Sequence, residues 1–131
     1  MDPKIHTLRS GARVISLSAH GFKFSDGTES DAQLPEVVAA FTLQREYESR
    51  GEIAGMAVNQ MSMILTAEQL TELKSLAEKA DLVILPFPAL TALREQGVRE
   101  QFPNCVAFNA TPETQRAAPQ DKIVDINNWS Y

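Results

Sequence analysis

The stretch Ala80–Gly97, ADLVILPFPALTALREQG, constrains the fold more than any other part of the chain. Leu82, Val83, Ile84 and Leu85 form a short unbroken apolar run, which suits a strand covered on both faces. Pro86 and Pro88 end that strand. A proline near the first helical position gives up no hydrogen bond and already holds a helical φ. Leu90, Leu93 and Arg94 follow at helical spacing, and Gly97 can close the helix in the left-handed conformation. Strand, proline-braced loop and helix in this order can present a ligand at the carboxyl end of the strand.

A second helix is expected immediately upstream, over about 66–80, with the first over 88–96. Thr66 and Gln69 have the spacing at which each side chain satisfies the other's exposed backbone amide. Leu70, Leu73, Leu76, Ala77 and Ala80 make one apolar face, while Glu68, Glu72, Lys74, Glu78 and Lys79 belong to the solvent side. Helix, strand and helix in succession predict an α/β or α+β arrangement, a mixed sheet to which the first half adds β-hairpins. At 131 residues the whole chain, 1–131, fits one compact domain. Residues 1–12 mix charge, Gly and Ser, and are expected to form a flexible or loosely packed end.

In the first half, Arg13–Ser18 alternates and is β-branched, and so reads as a strand. Phe22 and Phe24 share a face of another, and Asp26-Gly27 is a strong hairpin signal. Residues 36–47 fit two patterns. Val37, Ala39, Phe41, Leu43 and Tyr47 alternate as in a strand, whereas Val38, Phe41 and Arg45 suit a helix. The strand is favoured, with a reversal at Ser49–Glu52 and a return over Ile53–Leu65. Met56, Met61 and Met63 on that return read as adaptable core filling.

Beyond Gly97, Val98–Phe102 reads as one more helical turn, Cys105–Phe108 as a strand, and Asn109–Gln120 as a polar loop. Lys122–Ile126 reads as a last short strand, followed by Trp129 and Tyr131 at a core edge or as aromatic contacts. Arg94 and Arg99, near Gly97, are expected to complement the helix dipole.

A formal charge of −5 without clustered Lys and Arg argues against an extended nucleic-acid surface. No apolar stretch reaches the roughly 18 residues of a membrane span, and no signal-peptide pattern opens the chain. One cysteine, Cys105, excludes an internal disulfide and fits a cytoplasmic location, with the thiol as an inert core group. Two histidines and one cysteine are too few for a structural zinc, and no metal or cofactor is expected; an oxygen-ligated Mg²⁺ at Asp26, Asp81 or Asp125 is the alternative, though their spacing is not diagnostic. Phosphate-loop, dinucleotide, nucleophile-elbow and zinc-protease motifs are absent from the sequence.

Two polar stretches after predicted strands are the candidate ligand-binding residues. Ser18 and His20, followed by Gly21, offer a hydroxyl and an imidazole where glycine permits close backbone approach. The loop from Asn109 to Arg116 adds Asn109, Thr111, Thr114 and the Arg116 guanidinium, which can grip phosphate or carboxylate. Each has a structural reading beside it: His20 as a loop cap, and Arg116 in an ordinary surface ion pair.

The segments VISLSAHGFKFSDGT, ADLVILPFPALTALRE and RAAPQDKIVDI, about half the chain, resemble small phage and bacterial proteins of uncharacterised function. Those open with a strand, a Thr-Pro-His-like turn, a second strand and Asp-Gly. Here the turn reads Ser18-Ala19-His20, so the histidine matches and the proline does not. The resemblance implies a phage or prophage origin and carries over no catalytic residue.

The resulting expectation is a small non-enzymatic binding protein, phage-associated and located in the host cytoplasm, that sequesters an anionic small molecule such as a nucleotide. Its pocket would lie where the ends of strands 13–18, 82–85 and 105–108 meet. Two alternatives stand beside it. One is an enzyme acting on a nucleotide or sugar with His20 as general acid or base. The other is a host-protein interactor anchored by Phe102, Trp129 and Tyr131. A homodimer through a strand of the 36–65 hairpin is a further expectation.

Overall fold

The computed structural model describes residues 2–131. In chain order the strands are β1 (His6–Thr7), β2 (Arg13–Ser16), β3 (Phe22–Phe24) and β4 (Glu29–Ser30), followed by helix α1 (Pro35–Ala40). The hairpin β5 (Gln44–Ile53) and β6 (Met56–Ile64) comes next, then α2 (Ala67–Lys79), β7 (Leu82–Ile84) and α3 (Phe87–Glu95). The chain closes with β8 (Cys105–Ala110) and β9 (Ile123–Ser130). Seven strands form one mixed sheet in the order β1-β2-β7-β8-β9-β3-β4, and β5-β6 stand apart as a two-stranded sheet. The chain is a single compact α+β domain.

The expected centre of the sheet is in place. β2, β7 and β8 pair in parallel, with Ile15 opposite Val83 and Val83 opposite Cys105. Alternation along these strands sends Ile15, Leu17, Val83, Leu85, Cys105 and Ala107 to one face. There they meet Leu73 and Leu76 of α2 and Leu90 and Leu93 of α3 in the larger core cluster. Each fully buried Leu, Ile or Val among them contributes roughly 1.5–3 kcal/mol relative to exposure. α2 begins on the expected reciprocal cap: Gln69 N–H donates to Thr66 Oγ1 at 3.2 Å, and Thr66 N–H donates to Gln69 Oε1 at 2.8 Å. Gly97, at φ +72°, lies just beyond the end of α3.

The opposite face carries a second cluster of Leu8, Val14, Phe24, Ile84 and Val124, with Phe22, Phe108 and Trp129 packed against it. The sheet curls around this cluster until its β1 edge returns to the β3–β4 end. His6 stacks on Phe24 with ring centroids 5.2 Å apart. Arg9 N–H donates to Asp26 Oδ2 at 3.0 Å. The buried Gln33 amide completes the seam, donating to Lys4 O and Ser16 O and accepting from the Lys4 and Leu34 amides. Within the 1–12 segment, Lys4 and His6 are tied into the sheet and Leu8 is buried, while most of its other described residues are exposed.

The favoured strand over 36–47 is corrected. Pro35 starts a helix that ends at Ala40, and the strand begins only at Gln44. Leu34, Val37 and Phe41, spaced for a helix, all pack on the larger core, and that burial outweighs the alternating pattern. The reversal lies at Ala54-Gly55 rather than Ser49–Glu52. Both turn residues have positive φ, as a two-residue type I′ hairpin requires, and Ile53 pairs with Met56. Gly51, at φ +94°, instead marks a bulge. Met56 and Met61 are exposed, so they are not core filling.

The last strand runs to Ser130, longer than expected, and β9 pairs antiparallel with β8 and parallel with β3. Arg99 is not a surface charge at a helix end. It is buried, donates to the Phe102 and Cys105 carbonyls at 2.5 Å each, and lies 3.6 Å over the Tyr131 ring. Loss of hydration lowers its pKa from the ordinary arginine value.

Candidate functional site

Two clefts open among the strand ends and the loops that follow them, one on each face of the sheet. The larger, about 630 Å³, lies on the curled face. Its walls come from the turn after β2, from β3 and β4, from Phe108 of β8, and from the 119–124 segment that leads into β9. The volume falls within the range of small-molecule sites.

Local chemistry shapes each wall. His20 N–H donates to Ser18 Oγ at 3.1 Å, and Gln33 N–H donates to Ser18 O at 3.2 Å, which holds the turn after β2 against the start of α1. Gly21 is required there, because a Cβ would run into the Ser30 carbonyl oxygen of β4. Asp26 supports the β3–β4 turn, accepting from Thr28 N–H, Thr28 Oγ1 and Arg9 N–H. Phe22 and Phe108 form the aromatic wall, with ring centroids 5.0 Å apart at 56°.

Lys23 and Lys122 bring the positive charge. The parallel register sets Lys23 beside Ile123 and Phe24 beside Val124, so Lys122 falls beside Phe22. Neither ammonium has an ion pair or side-chain hydrogen bond among the described residues. Glu29, which lies across from Lys23 in the β3–β4 ladder, is the one carboxylate in the wall. Two lysines against one glutamate make this cleft positive in a chain whose net charge is −5.

Of the candidate residues, Ser18 and His20 line this cleft, whereas Asn109, Thr111, Thr114 and Arg116 are not among its walls. Asn109 is bonded to Asn128 O and Ser130 Oγ. Thr111 and Thr114 share a hydroxyl–hydroxyl bond of 2.7 Å, and Thr114 Oγ1 accepts from Ile123 N–H at 3.0 Å. Those hydroxyls brace the loop, and Arg116 is exposed on it. The same loop reaches the cleft further on, through Pro119 and Gln120. No local pattern points to Lys23, Lys122 and Phe108: Lys23 and Lys122 meet through pairing of segments 100 residues apart, and Phe108 joins them through the separate β8–β9 pairing.

The other expected groups are also placed. Phe102 is buried, which removes it as a surface anchor. Trp129 packs on the second core cluster and donates its indole N–H to Ile126 O at 2.9 Å. Cys105 is fully buried, and loss of hydration raises its thiol pKa to about 12 against the opposing effect of Arg99. Among the described residues, no group of three or more His, Cys, Asp or Glu is placed to hold a metal ion. No helix there is long and apolar enough to cross a membrane. No family model, curated protein or solved structure matches the chain.

Proposed function

We propose that this protein binds an anionic small molecule carrying a planar ring, a nucleotide being the natural class, in the cleft of Phe22, Phe108, Lys23 and Lys122. The observation that supports this reading is the pairing of an aromatic wall with two lysines, against a single glutamate, in one cleft. A base stacked on an aromatic side chain gains about 1–3 kcal/mol, and the lysines suit its phosphate. His20 and the Ser18 turn then close the polar side. The His20 imidazole is exposed and has no orienting partner among the described residues, so sequestration is favoured over turnover. In a phage setting such a protein would lower the free level of a host signalling nucleotide.

The test is a thermal-shift and calorimetric panel of nucleotides, nucleosides and inorganic phosphate. A true ligand at a hundred times Kd adds about 2.7 kcal/mol of stability. Nucleotides should shift melting more than nucleosides or phosphate alone, and Phe108→Ala and Lys122→Met should each weaken that binding. No shift with any nucleotide would sink the proposal. Mass analysis of the recovered ligand separates the enzyme reading, since a product that disappears in His20→Ala would make that side chain catalytic.

A second reading, protein contact or pairing with another copy, draws on a different surface. The β5–β6 hairpin exposes Tyr47, Ile53, Met56 and Met61, and Phe87 is exposed at the start of α3.

A further inference from the structure

The second cleft, about 440 Å³, lies on the helical face where β2 and β7 end. Its floor is Leu17, Leu65, Leu73 and Leu85, all of them buried core residues. Phe41 and Met63 rise along its sides. Arg45 is the only charged residue in the wall. It sits directly across from Met63 in the β5–β6 ladder, so both project from the same face of the hairpin. Its guanidinium has no ion pair or hydrogen bond among the described residues.

An apolar cavity open to solvent is costly to leave wet, and the one unpaired cation beside it fixes the sign of what can enter. We infer that this cleft is a binding site for an amphiphilic monoanion, an alkyl carboxylate whose chain lies on the leucine floor and whose head meets Arg45. A planar carboxylate matches the guanidinium fork with two parallel hydrogen bonds, which an alcohol or an amine cannot reproduce. The apolar walls exclude a phosphate-rich ligand, so this site is chemically distinct from the cleft of Phe22 and Phe108. The inference does not depend on the nucleotide proposal.

The experiment compares decanoate, decan-1-ol and decylammonium, each below its aggregation concentration, by calorimetry and by the NMR signal of the Met63 methyl group. Decanoate should bind saturably and shift that signal, with the alcohol weaker by at least about tenfold, the scale of one lost charge-assisted bond. Decylammonium should bind more weakly than the alcohol. Arg45→Met, an exposed position, should bring decanoate down to the level of the alcohol and leave nucleotide titrations unchanged. Thr42→Trp, also exposed, should block all three ligands. Equal affinity for the three compounds, or unaltered decanoate binding in Arg45→Met, would overturn the inference. Failure of the nucleotide panel would leave it standing.

Discussion

Asp26 shows how one side chain joins two turns. Its Oδ1 accepts from the Thr28 amide at 2.9 Å and from the Thr28 hydroxyl at 2.5 Å, and its Oδ2 accepts from the Arg9 amide at 3.0 Å. Partial desolvation pushes its pKa up, but these bonds and the Arg9 charge together hold it below 3.8. A carboxylate with a depressed folded pKa adds stability above its unfolded pKa, and that increment is lost as pH falls through the folded value. Urea unfolding at several pH values should therefore find Asp26→Asn less stable at pH 7. Solvent screening limits that difference to about 1 kcal/mol. The gap between the two proteins should narrow below pH 3.8. A gap that widens on acidification would contradict this account. Residue-level chemistry of this kind was readable in advance, since Asp-Gly and Thr66…Gln69 act on neighbours within four positions. Arg99 was not: its partners Phe102 and Cys105 are near in sequence, but only Tyr131 and the core show that its guanidinium is inside.

Among the elements, the β5–β6 hairpin stands apart from the rest. All ten residues of β5 are exposed, and β5 and β6 pair only with each other. A two-stranded ribbon with so little burial is marginal by itself, and the base of β6 packs against α3. Amide hydrogen exchange should accordingly be fast from Glu46 to Met61 and slowest in β2, β7 and β8, whose strands lie at the centre of the sheet. Protection of the hairpin that rises with protein concentration would instead show a second copy covering Tyr47 and Met61, and would favour the protein-contact reading. The segment before the hairpin explains why 36–47 divides. Pro35 pre-sets the first helical φ, and a six-residue helix suffices to bury Val37. The charged run after Gln44 then has nothing to bury and remains extended.

Across the whole molecule, the curled sheet separates two cores, and a cleft opens at the rim of each. Cys105 reports on that arrangement. Its side chain is 0% exposed between the sheet and α3, and its thiol is raised to about 12, so thiolate forms only when the centre opens. Labelling by an aromatic disulfide reagent should then run no faster than exchange of the slowest β8 amides, and both should accelerate together in mild urea. Labelling well ahead of that exchange would mean that the sheet opens locally at Cys105. On the proposed function, a nucleotide that binds only the folded form should slow both rates in parallel.

The sequence by itself determined the central strand–helix unit, the reciprocal cap of α2, the Asp-Gly turn and the mixed layering, because each is written within a few residues. It also marked Ser18, His20 and Gly21 as a turn at a strand end, which is where they lie. Tertiary structure alone decided that the β1 edge closes back on β3. It decided too that Lys122 comes to rest beside Phe22, and that Arg45 faces a leucine-lined cavity. The physical reason is range: capping and turn bonds act between near neighbours, whereas strand pairing and burial select among contacts that are distant along the chain.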